Sequence, residues 1–105
     1  MDEAAPFEIV LAHLDGFARV KLRGELDYAA TSQQHEAIQE IIGLRRRVVI
    51  DLSEVTFADP AGLATLARIA ADHDGPVRID GITPGARRLL EVSGLSVLFD
   101  YTEAD

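Results

Sequence analysis

Three aspartates stand where apolar segments meet turns, and their carboxylates are the most chemically capable groups in the chain. Asp27 follows one apolar segment, Asp51 lies at the end of another, and Asp59 comes eight residues later. If strand ends bring them to one edge of a sheet, they could act as paired acid–base groups or as Mg²⁺ ligands. The same positions suit helix caps and turns, and we favour that interpretation.

The other residue types give the enzyme hypothesis little support. His13, His35 and His73 lie in separate predicted elements without metal-ligand spacing, so we expect exposed or loop histidines. The serines lack a nucleophile elbow. Residues 81–85 lack the lysine of a phosphate-binding loop, and the absence of cysteine excludes thiol chemistry. We therefore predict a non-enzymatic protein without catalytic, metal-binding or cofactor-binding residues.

The segment Asp59-Pro60-Ala61-Gly62 predicts the start of a helix. Asp59 is a good N-cap, because its carboxylate can accept a hydrogen bond from a free amide of the first turn. Pro60 fits the first helical position, where no N–H is needed. Gly62 leaves the backbone bare, which would let another molecule approach closely. The same residues are therefore a candidate partner-binding surface.

The composition indicates one acidic globular domain. The chain has 105 residues, is 48% hydrophobic and carries a net charge of −8. An acidic surface repels phosphate backbones, which argues against nucleic-acid binding. No apolar stretch approaches the roughly 20 residues of a membrane span, and the acidic N-terminus lacks the basic start of a signal peptide. We expect a cytoplasmic protein that does not insert into a membrane.

The run Arg45-Arg46-Arg47 is the only basic cluster in this acidic sequence. We interpret it as a solvated loop between a helix and a strand, with cations near a helix C-terminus. Contact with an anion or an acidic partner is the alternative.

Eight segments follow one another without a linker or repeat. They are strands at 7–11 and 17–23, a helix at 28–42, a strand at 48–52, a helix from Asp59 to about residue 74, a strand at 77–79, a helix from Thr83 to about Gly94, and a short strand at 97–99. Asp15-Gly16 predicts a hairpin between the first two strands. In the helix at 28–42, Gln34 is the weak point of the apolar stripe.

This order, β-β-α-β-α-β-α-β, predicts an α/β fold with one mixed sheet. The hairpin would be antiparallel and the later crossovers parallel. The second strand alternates between Ala18, Val20 and Leu22 on one side and three basic residues on the other. Because that alternation leaves one polar side, we expect the helices to pack mainly on one face of the sheet.

The element order and two motifs together resemble the STAS domain, the family of bacterial anti-sigma factor antagonists and of the cytoplasmic domains of sulfate transporters. The first motif is Gly24-Glu25-Leu26-Asp27, and the second covers residues 48–63, reading VVIDLSEVTFADPAGL. The likeness extends from about Phe7 to Phe99. It implies a single STAS-like domain over residues 1–105, with its core at about 7–99.

The resemblance to anti-sigma factor antagonists implies a protein partner. In that family the domain binds an ATP-dependent kinase that is also an anti-sigma factor, of the histidine-kinase-like ATPase type, and binding frees the sigma factor for transcription. Phosphorylation of a Ser or Thr at the helix start releases the antagonist. That position falls on Ala61 here, so the family phosphosite is absent. Thr65, one helical turn later, is a candidate substitute, whereas Thr56 is expected to be a strand-end or turn residue.

The resemblance also predicts where the partner binds. The expected surface comprises the loop at 24–27 with Gly24 and Asp27, the turn at 59–62, and the outer face of the following helix, with Ala64, Thr65 and Arg68. The oligomeric state stays open, a dimer included.

Two other functions are compatible with the sequence. STAS-like accessory subunits of ABC-type membrane transport complexes can carry Asp-Thr-Ala-Gly-Leu, close to the residues at 59–63. The other alternative is a nucleotide or small-ligand sensor that uses the edge formed by Asp27 and Asp59.

Overall fold

A computed structural model describes residues 7–101, which form a five-stranded mixed sheet with helices on one face. The strands are β1 (Glu8–Leu14), β2 (Phe17–Leu26), β3 (Arg47–Ala58), β4 (Val77–Ile82) and β5 (Asp100–Tyr101), and they neighbour one another in that order. The helices are α1 (Tyr28–Gln33), α2 (His35–Ile42), α3 (Pro60–Asp72) and α4 (Pro84–Val92), followed by a 3₁₀ helix (Leu95–Leu98). The predicted α/β architecture is confirmed.

The strand directions also agree with the prediction. β1 and β2 are antiparallel and joined at Asp15-Gly16, with Leu14 opposite Phe17, whereas all later pairs of neighbouring strands are parallel. Gly16 has φ +88°, a left-handed conformation that glycine adopts without strain. The hairpin therefore follows from the local sequence.

The hydrophobic core lies between the sheet and the helices. Ala18, Val20 and Leu22 of β2 are all buried, as the alternation predicts. The core cluster joins residues of the three central strands to side chains of α2, α3 and α4, among them Ile41, Leu66 and Leu90. Burying these side chains supplies the main stabilisation of the fold.

The opposite face of the sheet carries charged side chains in place of helices. Arg19 donates hydrogen bonds to both Asp51 and Asp80, each at 2.8 Å. The ammonium of Lys21 lies 2.6 Å from a carboxylate oxygen of Glu54. The pairs with Asp51 and Glu54 join the neighbouring strands β2 and β3, and the pair with Asp80 reaches across β3 to β4, so this face is an ion-pair lattice. It explains why the second strand has a polar side without a covering helix.

Three predicted elements differ from the structure. The helix at 28–42 is two helices, because the backbone of Gln34 leaves the helical conformation at φ −103° and ψ 23°. The predicted strand at 97–99 is replaced by the 3₁₀ helix, and β5 follows it. The strand at 48–52 is only the apolar part of β3, which continues to Ala58 because β2 also extends and pairs with it.

Among residues 7–101, no helix has the length and apolar character needed to cross a membrane; α3, with 13 residues, is the longest.

Candidate partner-binding site

Asp59 joins the starts of two helices and the end of a strand. Its Oδ1 accepts a hydrogen bond from the amide of Gly62 at 2.8 Å, which caps α3. Its Oδ2 accepts from the amide of Tyr28 at 3.1 Å, at the first residue of α1. Its own amide donates to the carbonyl of Leu26 at 3.2 Å. The predicted capping role is confirmed, and the link to α1 is an additional finding.

Asp27 is the second helix cap of the site. Its Oδ1 accepts a hydrogen bond from the amide of Ala30 at 2.8 Å. Asp27 and Asp59 therefore both direct carboxylate oxygens at backbone amides, as the capping interpretation predicted. Within residues 7–101, no group of three or more His, Cys, Asp or Glu side chains is arranged to hold a metal ion.

Asp51 belongs to a different part of the molecule. It lies on the ion-pair face, seven residues before Ala58 on β3, so about 20 Å of strand separates it from the helix caps. Its side chain is only 8% exposed, and it accepts a hydrogen bond from the amide of Ser53 at 2.8 Å. Burial by itself raises the pKa of Asp51. The hydrogen bonds from Ser53 and the Arg19 guanidinium outweigh burial, so the pKa lies below its ordinary value.

Gly62 is buried against β2 and does not open the surface to a partner. A Cβ at this position would lie 1.9 Å from the carbonyl oxygen of Leu26. The glycine therefore lets α3 approach the end of β2 closely. The expectation that its bare backbone admits another molecule is wrong, because the chain itself occupies that space.

The exposed part of the site is the first turn of α3 and the face that continues from it. Pro60, Ala64 and Arg68 are exposed, whereas Ala61 and Thr65 are half-buried. The hydroxyl of Thr65 donates to the carbonyl of Ala61 at 3.1 Å, so the two residues share a face as their spacing predicts. We call Asp59, Pro60, Ala61, Ala64 and Arg68 the docking turn.

Gly24 lies inside strand β2 and not in a loop. Its φ of +96° is a left-handed conformation, and the pairing of β2 with β3 shifts register beside it. A glycine suits such an irregularity, since other residues would be strained there. The predicted loop at 24–27 is thus strand as far as Leu26, and Asp27 alone follows it.

Two exposed aromatic residues adjoin the caps, and they were missed in the sequence. Tyr28 follows Asp27 directly and is 70% exposed, and Phe57 precedes Asp59 by two residues and is 53% exposed. Exposed aromatic side chains are typical of protein interfaces. Their positions close to the capping aspartates in the sequence could have indicated that they belong to the candidate binding surface.

The histidines divide into two groups. His13 and His35 are exposed, as expected, but His73 is buried at the end of α3. Its Nδ1 lies 3.3 Å from the carbonyl oxygen of Gly75, and its Nε2 is buried without a hydrogen-bond partner among residues 7–101. His73 is therefore a loop histidine, as expected, but the structure adds that the loop after α3 buries its ring.

Two cavities among residues 7–101 lie near the caps, and both are small. The cavity beside Asp27 and Gln33 measures about 150 Å³. Another, between Phe57 and α4, measures about 170 Å³. Both are below the roughly 300–1,000 Å³ of ordinary small-molecule pockets. The geometry gives the hypothesis of a ligand sensor at Asp27 and Asp59 no support.

Comparisons with known proteins match a family model over nearly all of the described chain, and sequence relatives over about three quarters or more of the chain. A family model described as "Mlab, STAS domain" matches residues 9–100. The anti-sigma F factor antagonist of Paenibacillus polymyxa is 28% identical over 93 residues, covering 84% of this chain and 80% of that protein. A STAS-domain containing protein of Pseudomonas aeruginosa is 26% identical over 84 residues, covering 76% of this chain and 82% of its own.

Solved structures agree with these sequence relatives. The crystal structure of an anti-sigma factor antagonist from Mycobacterium paratuberculosis has a TM-score of 0.81 at 25% identity, over 97% of this chain and 92% of that one. The unphosphorylated anti-sigma factor antagonist SpoIIAA has a TM-score of 0.68 at 19% identity, covering 91% of this chain and 89% of its own. At 19% identity, the match to SpoIIAA shows a common fold and nothing more.

Proposed function

This chain belongs to the STAS domain family, and we propose that it acts as an anti-sigma factor antagonist that phosphorylation at the helix start cannot switch off. Its partner is an anti-sigma factor and serine kinase of the histidine-kinase-like ATPase type. It acts in the cytoplasm by binding, not by catalysis, and influences transcription that depends on a sigma factor.

The observation that carries this proposal is the exposed start of α3, which is hydrogen-bonded to Asp59. Asp59 binds the first turns of both α1 and α3 through its two carboxylate oxygens, so the docking turn is held in one conformation. Preorganised surfaces bind with a smaller loss of conformational entropy. Pro60 and the aromatic rings of Tyr28 and Phe57 are exposed around it.

The absent hydroxyl at Ala61 determines the regulation. Phosphate would add roughly −1.5 to −2 charges at this position. A helix N-terminus accommodates that charge, but a partner packed on the same turn would have to desolvate it. Because alanine cannot carry phosphate, the docking turn stays competent to bind whatever the state of the kinase.

Thr65 is a poorer substitute for the phosphorylated residue. Its hydroxyl is half-buried and bonded to the carbonyl of Ala61, so a kinase would have to break that bond to reach it. Phosphorylation of Thr65 is therefore the alternative outcome of the kinase assay below.

The test of the surface is Ala61→Glu, which places a negative charge where the family carries phosphate. We expect binding to a candidate anti-sigma factor, measured by calorimetry, to weaken at least tenfold. The control is Ala71→Glu, which adds the same charge at an exposed position of α3, about 15 Å along the helix. Equal affinities of the two variants would refute the proposed surface.

The test of the regulation uses Ala61→Ser with the kinase and ATP. We expect Ala61→Ser to incorporate phosphate and the natural sequence to incorporate none. Phosphate on the natural chain, mapped by mass spectrometry to Thr65 or elsewhere, would show that the control point has moved.

A second candidate function is an accessory subunit of an ABC-type transport complex, docked on its ATPase. The resemblance of the residues at 59–63 to the Asp-Thr-Ala-Gly-Leu of such subunits supports it, since those subunits also have alanine at the third position. A gene neighbourhood with a transporter operon, and co-purification with its ATPase, would favour this function over the first.

A further inference from the structure

We infer a second binding site, for a phosphate-class oxyanion, in a basic cleft at the opposite end of the sheet from the docking turn. The cleft is lined by Arg45, Arg46, Arg47, His73 and the residues at 74–76. It lies where β3 and β4 begin, whereas the docking turn follows the end of β3. The 12 residues of β3 separate the two by about 36 Å, so this inference does not rest on the proposed function.

The first observation is that the cationic groups of the cleft are available. Among residues 7–101, Arg45 and Arg47 have neither a carboxylate within ion-pair distance nor a hydrogen bond to a carbonyl. By contrast, the basic groups on the ion-pair face, such as Arg19 and Lys21, bind carboxylates. The structure confirms that this run follows a helix and enters a strand in a solvated loop, since it lies between the end of α2 and the start of β3, with Arg45 and Arg47 exposed.

The second observation is that Arg46 is held in place. Its guanidinium donates to the carbonyl of Leu14 at 2.5 Å and lies 3.0 Å from Nδ1 of His13. The middle residue of the run is therefore tied to the β1–β2 hairpin. The flanking Arg45 and Arg47 are exposed and can turn toward a ligand with little rearrangement of the backbone.

The third observation is that a buried histidine, His73, forms part of the cleft wall. The side chain is 5% exposed, lines the cleft, and has a buried Nε2 with no hydrogen-bond partner among the described residues. Nε2 is not accessible from the cleft, so His73 forms part of the wall and the guanidinium groups supply the hydrogen bonds to a ligand.

These features specify the ligand class. The cleft measures about 320 Å³, the lower end of the roughly 300–1,000 Å³ of small-ligand pockets. Guanidinium groups bind tetrahedral oxyanions through paired N–H donors. Three arginines oppose one carboxylate of the lining, that of Asp74, so the cleft is positive in a chain whose net charge is −8. Inorganic phosphate or a small phosphate monoester fits this chemistry.

The experiment is an NMR titration of the ¹⁵N-labelled chain with inorganic phosphate, with sodium chloride balancing the ionic strength. We expect saturable shifts of the amides at 45–47 and 73–75. Arg45→Gln and Arg47→Gln should each weaken binding roughly threefold or more. Arg88→Gln, which removes the same charge from an exposed position of α4, should leave the affinity unchanged.

Several results would overturn the inference. Shifts that grow linearly without saturation, or equal losses in Arg88→Gln, would show only general screening of charge. Binding of a glutamate hexapeptide without any response to phosphate would assign the cleft to an acidic protein. A parallel titration with glycerol phosphate distinguishes the source: tighter binding than inorganic phosphate supports a monoester, and equal or weaker binding supports the free ion.

Discussion

Replacing Gly62 by alanine should destabilise the protein, although the same change usually stabilises a helix. Gly to Ala inside a helix ordinarily gains about 0.4–1 kcal/mol, since alanine restricts the unfolded chain and has the higher helix propensity. Here the new Cβ would lie 1.9 Å from the carbonyl oxygen of Leu26 and 2.9 Å from its Cγ. Contacts below 3.0 Å are essentially never found for real Cβ atoms.

The magnitude follows from what must move. Leu26 is 1% exposed, and its carbonyl accepts the amide of Asp59, so neither side of the contact can yield freely. Moving α3 away from β2 by about 1 Å costs roughly 1–3 kcal/mol as overpacking and weakens that hydrogen bond, worth about 1 kcal/mol. After the ordinary gain of alanine is subtracted, we expect a net loss of about 1–3 kcal/mol.

The assay is urea unfolding followed by circular dichroism, with thermal melts beside it. The matched control is Gly85→Ala in the first turn of α4, where a Cβ would meet no atom within 4 Å. We expect Gly85→Ala to be neutral or stabilised by up to about 1 kcal/mol. Gly62→Ala should melt several degrees lower, at about 4–6 °C for each kcal/mol lost in a domain of this size. If both variants gained stability alike, the close approach of α3 to β2 would be refuted.

Three further outcomes test other parts of the structure. Asp59→Ala should lower the free energy of unfolding by about 1.5–3 kcal/mol in urea, since it removes two hydrogen-bond acceptors. Asp27→Ala removes one acceptor and should cost about 1 kcal/mol. Equal losses in the two variants would refute the link to α1. The stability that Asp51 contributes should be constant above about pH 5 and disappear as the pH falls through its depressed folded-state pKa. The difference in free energy of unfolding between the natural chain and Asp51→Asn measures this contribution at each pH. A difference that grows in acid would contradict the assignment. Phe57→Ala should weaken anti-sigma factor binding in calorimetry at least fivefold without lowering the melting temperature, and unchanged affinity would remove it from the surface.

The sequence predicted those parts of the fold that depend on neighbouring residues. Asp15-Gly16 determines a two-residue hairpin, and the alternation in β2 decides which face is buried. The cap at Asp59 needs only an amide three residues later. Such features are local, since their partners lie within one turn or on the next residue of the strand. The motifs at 24–27 and 48–63 were sufficient to predict the family.

Features that depend on distant parts of the chain were not predictable. The polar residues of β3 beyond Leu52 hide its true length, because the strand is maintained by pairing with an equally extended β2. The sequence marks Gln34 as the weak point of the helix at 28–42, but that the helix actually breaks there was not predicted from the residues around it. The burial of His73 likewise depends on the loop that folds over it.

Asp59 and Gly62 show which properties the sequence determines and which depend on the fold. The amino-acid sequence by itself determined that a capped helix begins there and that Ala61 has no hydroxyl to phosphorylate. Only the tertiary structure decided that the other oxygen of Asp59 holds the start of α1 and that Leu26 fills the space beside Gly62. The physical reason is that a cap and a hydroxyl are properties of adjacent residues. Both of these contacts, by contrast, join segments more than 30 residues apart, and only the packing of β2, α1 and α3 brings those segments together.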